Sequence, residues 1–579
     1  MPGDIVMPED VVVNERKVFI LGLDGATFDI INKMLKGGEL PNIQKILNKG
    51  THGALNSTVL HHSPPAWTSF STGKDPGKHG ILGFIQMKEN EYGLQLVNGL
   101  DNKSPAMWDD LTGEGKKVIV MNIPMTYPPR PVNGILISGL DTPSLDVDFT
   151  YPLNIKQEIL QNSPNYQINL HLGGYLYNDR RKLKGLDIIH ENIESQRKTV
   201  LHLMNKYPWD LFAVRFNSPD NVQHQYWAYM DQDHPEYNPK SDKRLKEAIF
   251  GVYRRLDEVV GEIYSCLESA NANLIIMSDH GAGPRVGKSI FVNEWLKDMG
   301  LLSRVGKESK SSFKRVVDDI KFIIKGRMLS FFLKSIPPHI KAKLTEVIPW
   351  AAAKTANYLR FSGLDWPNTK AFMGEVEGIR INLNGKYPQG IVPKEAYEDL
   401  REKIISEAKK LKEPETGNHV FKGVFRREEI FKGDYTVNFP DIVLKPNDQY
   451  YMTPKFFRRN EKKPGIYLGN DTHWRKISGS HRQYGIFMAA GPDVKNGNQV
   501  NDINIIDILP TVFYLLGVPI AADVDGKVLY KCFNEDFVKS HKAIFRELDM
   551  KTTGNGSDIY SKEEKEELIK SLKGLGYID

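Results

Sequence analysis

Two cysteines in 579 residues, Cys266 and Cys532, leave no material for a disulfide framework or a thiolate zinc site. No run of uncharged apolar residues is long enough to span a bilayer, so a transmembrane helix is not expected. The first residues, MPGDIVMPEDVVVNERK, carry acids and prolines where a secretory signal needs a continuous apolar stretch, and a cytoplasmic protein is expected. Charge of one sign is scarce too. With 77 Lys+Arg against 72 Asp+Glu, the net +5 is too small and too dispersed for a nucleic-acid binder, and no sequence-specific nucleic-acid binding is expected. Internal repeats and low-complexity tracts are missing.

The remaining composition, 40% hydrophobic and 26% charged, is that of a globular protein. Its length exceeds what one core usually needs, which predicts a large catalytic domain carrying an insertion. Short apolar runs at Lys17–Leu23, Lys117–Ile123, Gly134–Ser138, Asp210–Phe216, Asn273–Met277 and Gly485–Ala490 read as strands. Because they are continuously apolar rather than alternating, both faces should be covered. Helical patterns such as Asp187–Lys206 and Asp242–Ala270 lie between them. The fold class is therefore α/β, a largely parallel central sheet with helices on both faces.

Residues 303–355 break this rhythm. Phe313, Val316, Val317, Ile320, Ile323 and Ile324 repeat at helical spacing opposite Lys314, Arg315, Lys321 and Lys325. A basic helical cap over 303–355 is expected, with the catalytic domain formed by 1–302 and 356–579. The same basic face could contact an anionic lipid or glycan.

Metal-capable side chains follow several of the strands. Asp24 ends the first in Leu23-Asp24-Gly25; Asp220 and His224 follow the Asp210–Phe216 run; Asp279 and His280 follow Asn273–Met277; His481 precedes Gly485–Ala490. Each alone has a plain reading, since Asp-Gly makes turns and an Asp after Pro caps helices. Yet a helix opening near Pro219 puts Asp220 and His224 on one face, four residues apart. Ligands in such sheets gather beyond the carboxyl ends of the strands. Carboxylates and imidazoles placed there suit two divalent cations, which is equipment for cleaving a phosphate ester. Ser63 lies among them. Its hydroxyl needs a base or a metal to become a nucleophile, and its plain alternative is a helix N-cap.

The segment His61–Gly80, HHSPPAWTSFSTGKDPGKHG, resembles the alkaline phosphatase superfamily, and most of all its nucleotide pyrophosphatase/phosphodiesterase branch. Ser63 stands two residues before Pro65 and ten before Gly73, with Pro76 and His79-Gly80 completing the pattern; Thr68 and Ser69 are too near Gly73 to match. Asn122–Pro129, Asp365-Trp366, Ile508–Gly517 and Leu575-Gly576-Tyr577 extend the match. The resemblance implies an alkaline-phosphatase-like fold, Ser63 as nucleophile and metal ligand, and two metal sites. One would use Asp220, His224 and His481, the other Asp24, Asp279 and His280 beside Ser63. Zinc is favoured by this donor set, with manganese or iron tolerated. The implied substrate is a small-molecule or nucleotide phosphodiester.

One departure bears on that substrate. Members of the branch place an Asn four residues after the His-Gly pair to hold a nonbridging phosphate oxygen, and Phe84 stands there. Lys78, Asn217 or a backbone amide could serve instead. A phosphomonoesterase, or a phosphotransferase acting on lipid or glycan head groups, would use the same ligands. A sulfatase needs Arg in C/S-x-P-x-R, and Trp67 occupies that place. Of the remaining imidazoles, His79 reads as structural in its turn, while His62 or His473 could protonate a leaving group.

Overall fold

The computed structural model describes residues 16–88, 90–305, 361, 363–374, 378–456, 468–469, 477–547 and 559–575. Beyond residue 305 the expected basic cap lies outside the described residues, as do His473 and the pair Gly576-Tyr577.

The apolar runs form the main sheet. Its strands are β1 (Val18–Leu23), β2 (Gly50–Asn56), β3 (Val118–Met121), β4 (Gly134–Ile137), β5 (Thr150–Tyr151), β6 (Leu211–Phe216) and β7 (Asn273–Met277). Farther along the chain, β8 (Gly281–Pro284) pairs with β9 (Gly479–Arg482) outside this sheet, and β10 (Tyr484–Ala490) returns to it. Across the sheet the order is β2, β10, β7, β1, β6, β3, β4, β5. From β7 to β4 all neighbours are parallel, as expected. The whole sheet is mixed, because β10 runs antiparallel to both β2 and β7, and β5 closes the far edge antiparallel to β4.

Every residue of β1 is buried, and alternate side chains enter opposite layers. Phe19, Leu21 and Leu23 join a core built with helices α2 (Asp179–Lys206) and α4 (Ala248–Ser269), through residues such as Ile189, Ile193, Val252 and Val260. Val18 and Ile20 join another core with α1 (Ser63–Thr72) and α5 (Ile508–Leu516), through Ala66, Phe70, Ile508 and Val512. Covering on both faces is why the strands read as unbroken apolar runs. The expected helix from Asp187 begins earlier, at Asp179, where Asn178 accepts from Arg181 N–H at 3.0 Å. The one expected over Asp242–Ala270 is split into a short turn, Lys243–Lys246, and α4.

A separate antiparallel sheet is formed by Ala371–Phe372, Gly378–Ile381, Ile442–Pro446 and Phe421–Arg426, in that order, with the helix Tyr397–Lys410 between its strands in sequence.

Beyond β4, Asp141 is fully buried and gathers backbone N–H groups from Met125 at 2.9 Å and Tyr127 at 2.8 Å, fixing the turn inside Asn122–Pro129. Burial pushes this carboxyl up to about 6 in spite of those donors. The folded protein thus keeps the proton to higher pH than the unfolded chain, so its stabilising contribution is complete below about pH 4 and is lost as pH rises through about 6. Urea denaturation across that range should show wild-type stability falling by roughly 2–3 kcal/mol relative to Asp141→Asn; parallel pH profiles would contradict this.

Candidate functional site

Strand pairing brings the carboxylates together. In register, Leu23 of β1 lies opposite Phe216 of β6, and Gly22 opposite Met277 of β7. The residues that follow, Asp24, Asn217 and Asp279, therefore emerge side by side at one end of the sheet. Gly25 turns the chain with φ +65 and donates its N–H to Asp279 Oδ1 at 3.2 Å; a side chain at Gly25 would meet Asp220.

Helix α3 (Ser218–Met230) starts at the end of β6 with Pro219 in its first turn. It carries Asp220 and His224 on one face, and their side chains meet, His224 Nε2 lying 3.2 Å from Asp220 Oδ1. Gln223 locks the helix in place by donating to Gly25 O at 2.9 Å and accepting from Tyr253 Oη at 3.0 Å. His481 arrives from far along the chain. The antiparallel pairing of β8 with β9 sets it opposite Ala282, two residues past His280, and the two imidazoles stack with centroids 3.8 Å apart.

The imidazoles are oriented by backbone. Gly281 O lies 2.9 Å from His280 Nδ1, and Gly479 O lies 3.0 Å from His224 Nδ1. Each carbonyl accepts from Nδ1–H, which leaves Nε2 of the neutral ring as the lone-pair nitrogen facing the centre. There His224 Nε2 is 2.9 Å from His481 Nε2, and His280 Nε2 is 3.4 Å from Asp279 Oδ2 and 3.7 Å from Asp24 Oδ1. Asp24 Oδ1 and Asp279 Oδ2 are buried without a hydrogen-bond partner.

Among the described residues two groups have donor atoms close enough to share one ion: Asp24, Asp279 and His280, and Asp220, His280 and His481. The first is the trio implied from sequence. In the second His280 appears where His224 was implied, although His224 touches both Asp220 and His481. Orphaned carboxylate oxygens facing lone-pair nitrogens are what a divalent cation requires, so the donor set fits two metal ions.

Ser63 is fully buried and heads α1, its Oγ 3.4 Å from His280 Nε2. It is the first helical residue rather than the cap, a place taken by His62 in extended conformation. Free N–H donors at this helix start are fewer than a typical N-terminus offers. Pro64 and Pro65 have none, and Ala66 N–H is spent on His62 O. Thr68 and Ser69 are otherwise engaged, Thr68 with Pro64 O and Ser69 with His79 Nε2. His79 is structural in its turn, also accepting from Ile81 N–H, and burial pushes it down to about 3. His62 lies edge-on to His481 at 5.7 Å. Phe84 is packed in the core, and Lys78 is not at the centre but pairs with Asp525 and donates to Asp523 O.

Sequence reading missed Trp67 and Arg215, both of which bind Asp24 Oδ2. A cation inside the otherwise apolar strand LFAVRF was the available signal.

Proton affinities follow from crowding. Burial and the neighbouring Asp24 charge push Asp279 up to about 7, against the pull of His280 and Arg215. Burial would lower His280, but Asp279 and Asp24 raise it. Burial would raise Asp220, but His224 and His481 hold it well below the carboxylate range.

The model of the type I phosphodiesterase/nucleotide pyrophosphatase family matches residues 18–465. Sheet, helices and donor set are those of the alkaline phosphatase superfamily, and the protein is a metal-dependent phosphoesterase, a hydrolase of phosphoric ester bonds. The chain belongs to the type I phosphodiesterase/nucleotide pyrophosphatase family. No curated protein matches it. Among solved structures, phosphonoacetate hydrolase from Sinorhizobium meliloti 1021, in complex with phosphonoformate, is similar over 87% of this chain and 96% of that one, at 13% identity and a TM-score of 0.50. Murine ectonucleotide pyrophosphatase/phosphodiesterase 5 is similar over 87% and 95%, at 13% identity and a TM-score of 0.45. At such identities the likeness is one of fold.

The expected cytoplasmic location does not hold: the similar structures include murine and human proteins that are ectoenzymes by name. No helix among the described residues is long and apolar enough to cross a membrane, which assigns no compartment.

Metal ions must displace the proton that burial and Asp24 favour on Asp279, so affinity should rise with pH. Zinc or manganese at a hundredfold excess over Kd should stabilise the protein by about 2.7 kcal/mol. The rise in melting temperature should be larger at pH 8 than at pH 6 and reversed by a chelator. An equal rise at both pH values would contradict the proton competition.

Proposed function

We propose that the protein cleaves phosphodiesters, nucleotide esters among them, by way of a covalent intermediate in which Ser63 Oγ carries the phosphoryl group with its remaining ester, with zinc as its natural metal. The observation that carries this reading is the position of Ser63 Oγ, buried at 3.4 Å from the one imidazole common to both ligand groups. Asp24, Asp279 and His280 would hold one cation beside Ser63; Asp220, His224 and His481 would hold the other, His280 lying between. Bound there, two divalent ions supply Lewis acidity that lowers hydroxyl and water pKa and neutralises charge on the phosphoryl oxygens.

The chain's own residues do the rest. α1 presents Oγ from a rigid, fully buried helix, which restricts attack to one direction. Attack forms the Oγ–P bond as the ester P–O bond breaks, and the departing oxygen takes a proton. His62, beside His481 where the site meets its half-buried rim, would give that proton. Water then cleaves the Oγ–P bond, releasing the phosphate monoester and restoring Ser63.

One observation favours a second reading, a phosphomonoesterase or phosphotransferase on the same site. With Phe84 in the core and Lys78 paired to Asp525, neither supplies the oxygen-binding donor that the diesterase branch uses. Asn217, at the end of β6, carries the remaining side-chain donor, its Nδ2, which donates to Ile168 O at 3.4 Å.

Metal-loaded protein should hydrolyse bis-p-nitrophenyl phosphate faster than p-nitrophenyl phosphate and leave the sulfate ester untouched; faster monoester turnover would establish the second reading. Ser63→Ala should lower kcat by about 10³-fold or more, and wild-type enzyme quenched during diester turnover should carry the mass of the phosphoryl group with its remaining ester on the peptide containing Ser63. A variant that keeps a tenth of the activity would remove Ser63 from this role.

A further inference from the structure

Asp24 does not face the centre with both oxygens. Its Oδ2 accepts the indole N–H of Trp67 at 2.9 Å and is paired with Arg215 Nε, whereas Oδ1, without a hydrogen-bond partner, lies toward His280. Arg215 is only 1% exposed, among the largest fully buried side chains of the protein. It sits on β6 in register with Gly22, two residues before Asp24 on β1. A side chain at Gly22 would stand 2.4 Å from the Trp67 ring, so glycine there admits the indole to Asp24. Trp67 is one turn beyond Ser63 on α1. A buried ion pair contributes little net stability by itself. The division of labour between the two oxygens of Asp24 is what indicates a further role.

We propose that Arg215 and Trp67 are positioning residues that hold Asp24 as a one-oxygen ligand, reserving Oδ1 for the cation shared with Asp279 and His280. This rests on the two-metal reading above. A carboxylate clamped through one oxygen by an indole and a guanidinium cannot rotate to chelate, nor turn away from the centre. Asp220 is oriented by different partners, His224 and His481. The clamp therefore serves one of the two ions. It also ties that ion's ligand to the helix carrying Ser63.

The test uses the full chain, titrated with Zn²⁺ against a chromophoric chelator, with circular dichroism to confirm folding. Trp67→Phe keeps an aromatic ring and removes the N–H; Arg215→Met removes the charge. Wild type should bind two equivalents. In either variant one equivalent should weaken by about 10–100-fold while the other keeps its wild-type affinity. If Arg215→Met does not fold, Trp67→Phe carries the test, and Arg215→Lys, which keeps charge without the planar fork, should show the same selective loss. Wild-type affinity at both equivalents in a folded variant, or equal weakening at both, would overturn the proposal and leave the two-metal reading standing. A wild type that binds no zinc would sink both.

Discussion

Three carboxylates, Asp24, Asp220 and Asp279, share a volume from which water is excluded, each no more than 1% exposed. Like charges so placed repel strongly and lose hydration, and a fold can hold them only by giving each a compensating partner. The chain gives three different ones. Asp220 has His224 and His481; Asp24 has Arg215 and Trp67; Asp279 has the Gly25 N–H and a proton affinity raised to about 7. Compensation is fullest where fixed positive charge or paired imidazoles stand, and weakest at Asp279, where a cation would gain most.

The sheet explains why such a concentration arises. Parallel neighbours end at the same edge, so β7, β1 and β6 deliver Asp279, Asp24 and Asp220 to one place without any long loop having to close. His481 needs a separate device. The β8–β9 pairing returns a segment two hundred residues distant to the strand that follows His280, and β10 then re-enters the main sheet beside β7. Placement therefore rests on backbone ladders, which are stiffer than side-chain contacts. This suits a centre whose donor atoms must hold positions within tenths of an ångström.

Much of this was legible in the sequence because it is written in local patterns. Strands covered on both faces appear as continuous apolar runs, and the carboxylates gathered at the sheet end appear as Asp after such a run. The spacing of Asp220 and His224 translates directly into one helix face. What was illegible depended on register. Nothing local to Arg215 says that it lies beside Gly22, nor that a missing side chain at Gly22 admits Trp67. The antiparallel turn of β10 was equally hidden, since buried strands of either direction look alike when both faces are apolar. Helix starts were misplaced where a polar first turn, such as Asp179 onward, carries no apolar period.

Trp67 joins two of these threads. At this place a sulfatase signature would require Arg, and its absence already set the chain apart from that chemistry. In the fold the same residue donates to Asp24 from the helix that presents Ser63, so one side chain couples the proposed nucleophile to a proposed metal ligand. An arginine there would put a second guanidinium beside Arg215, two buried cations against one carboxylate. That arrangement would repel a divalent ion from the Asp24 side of the centre. The indole supplies the same hydrogen bond with no charge. Tryptophan at position 67 and arginine at 215 thus give Asp24 two donors but only one positive charge.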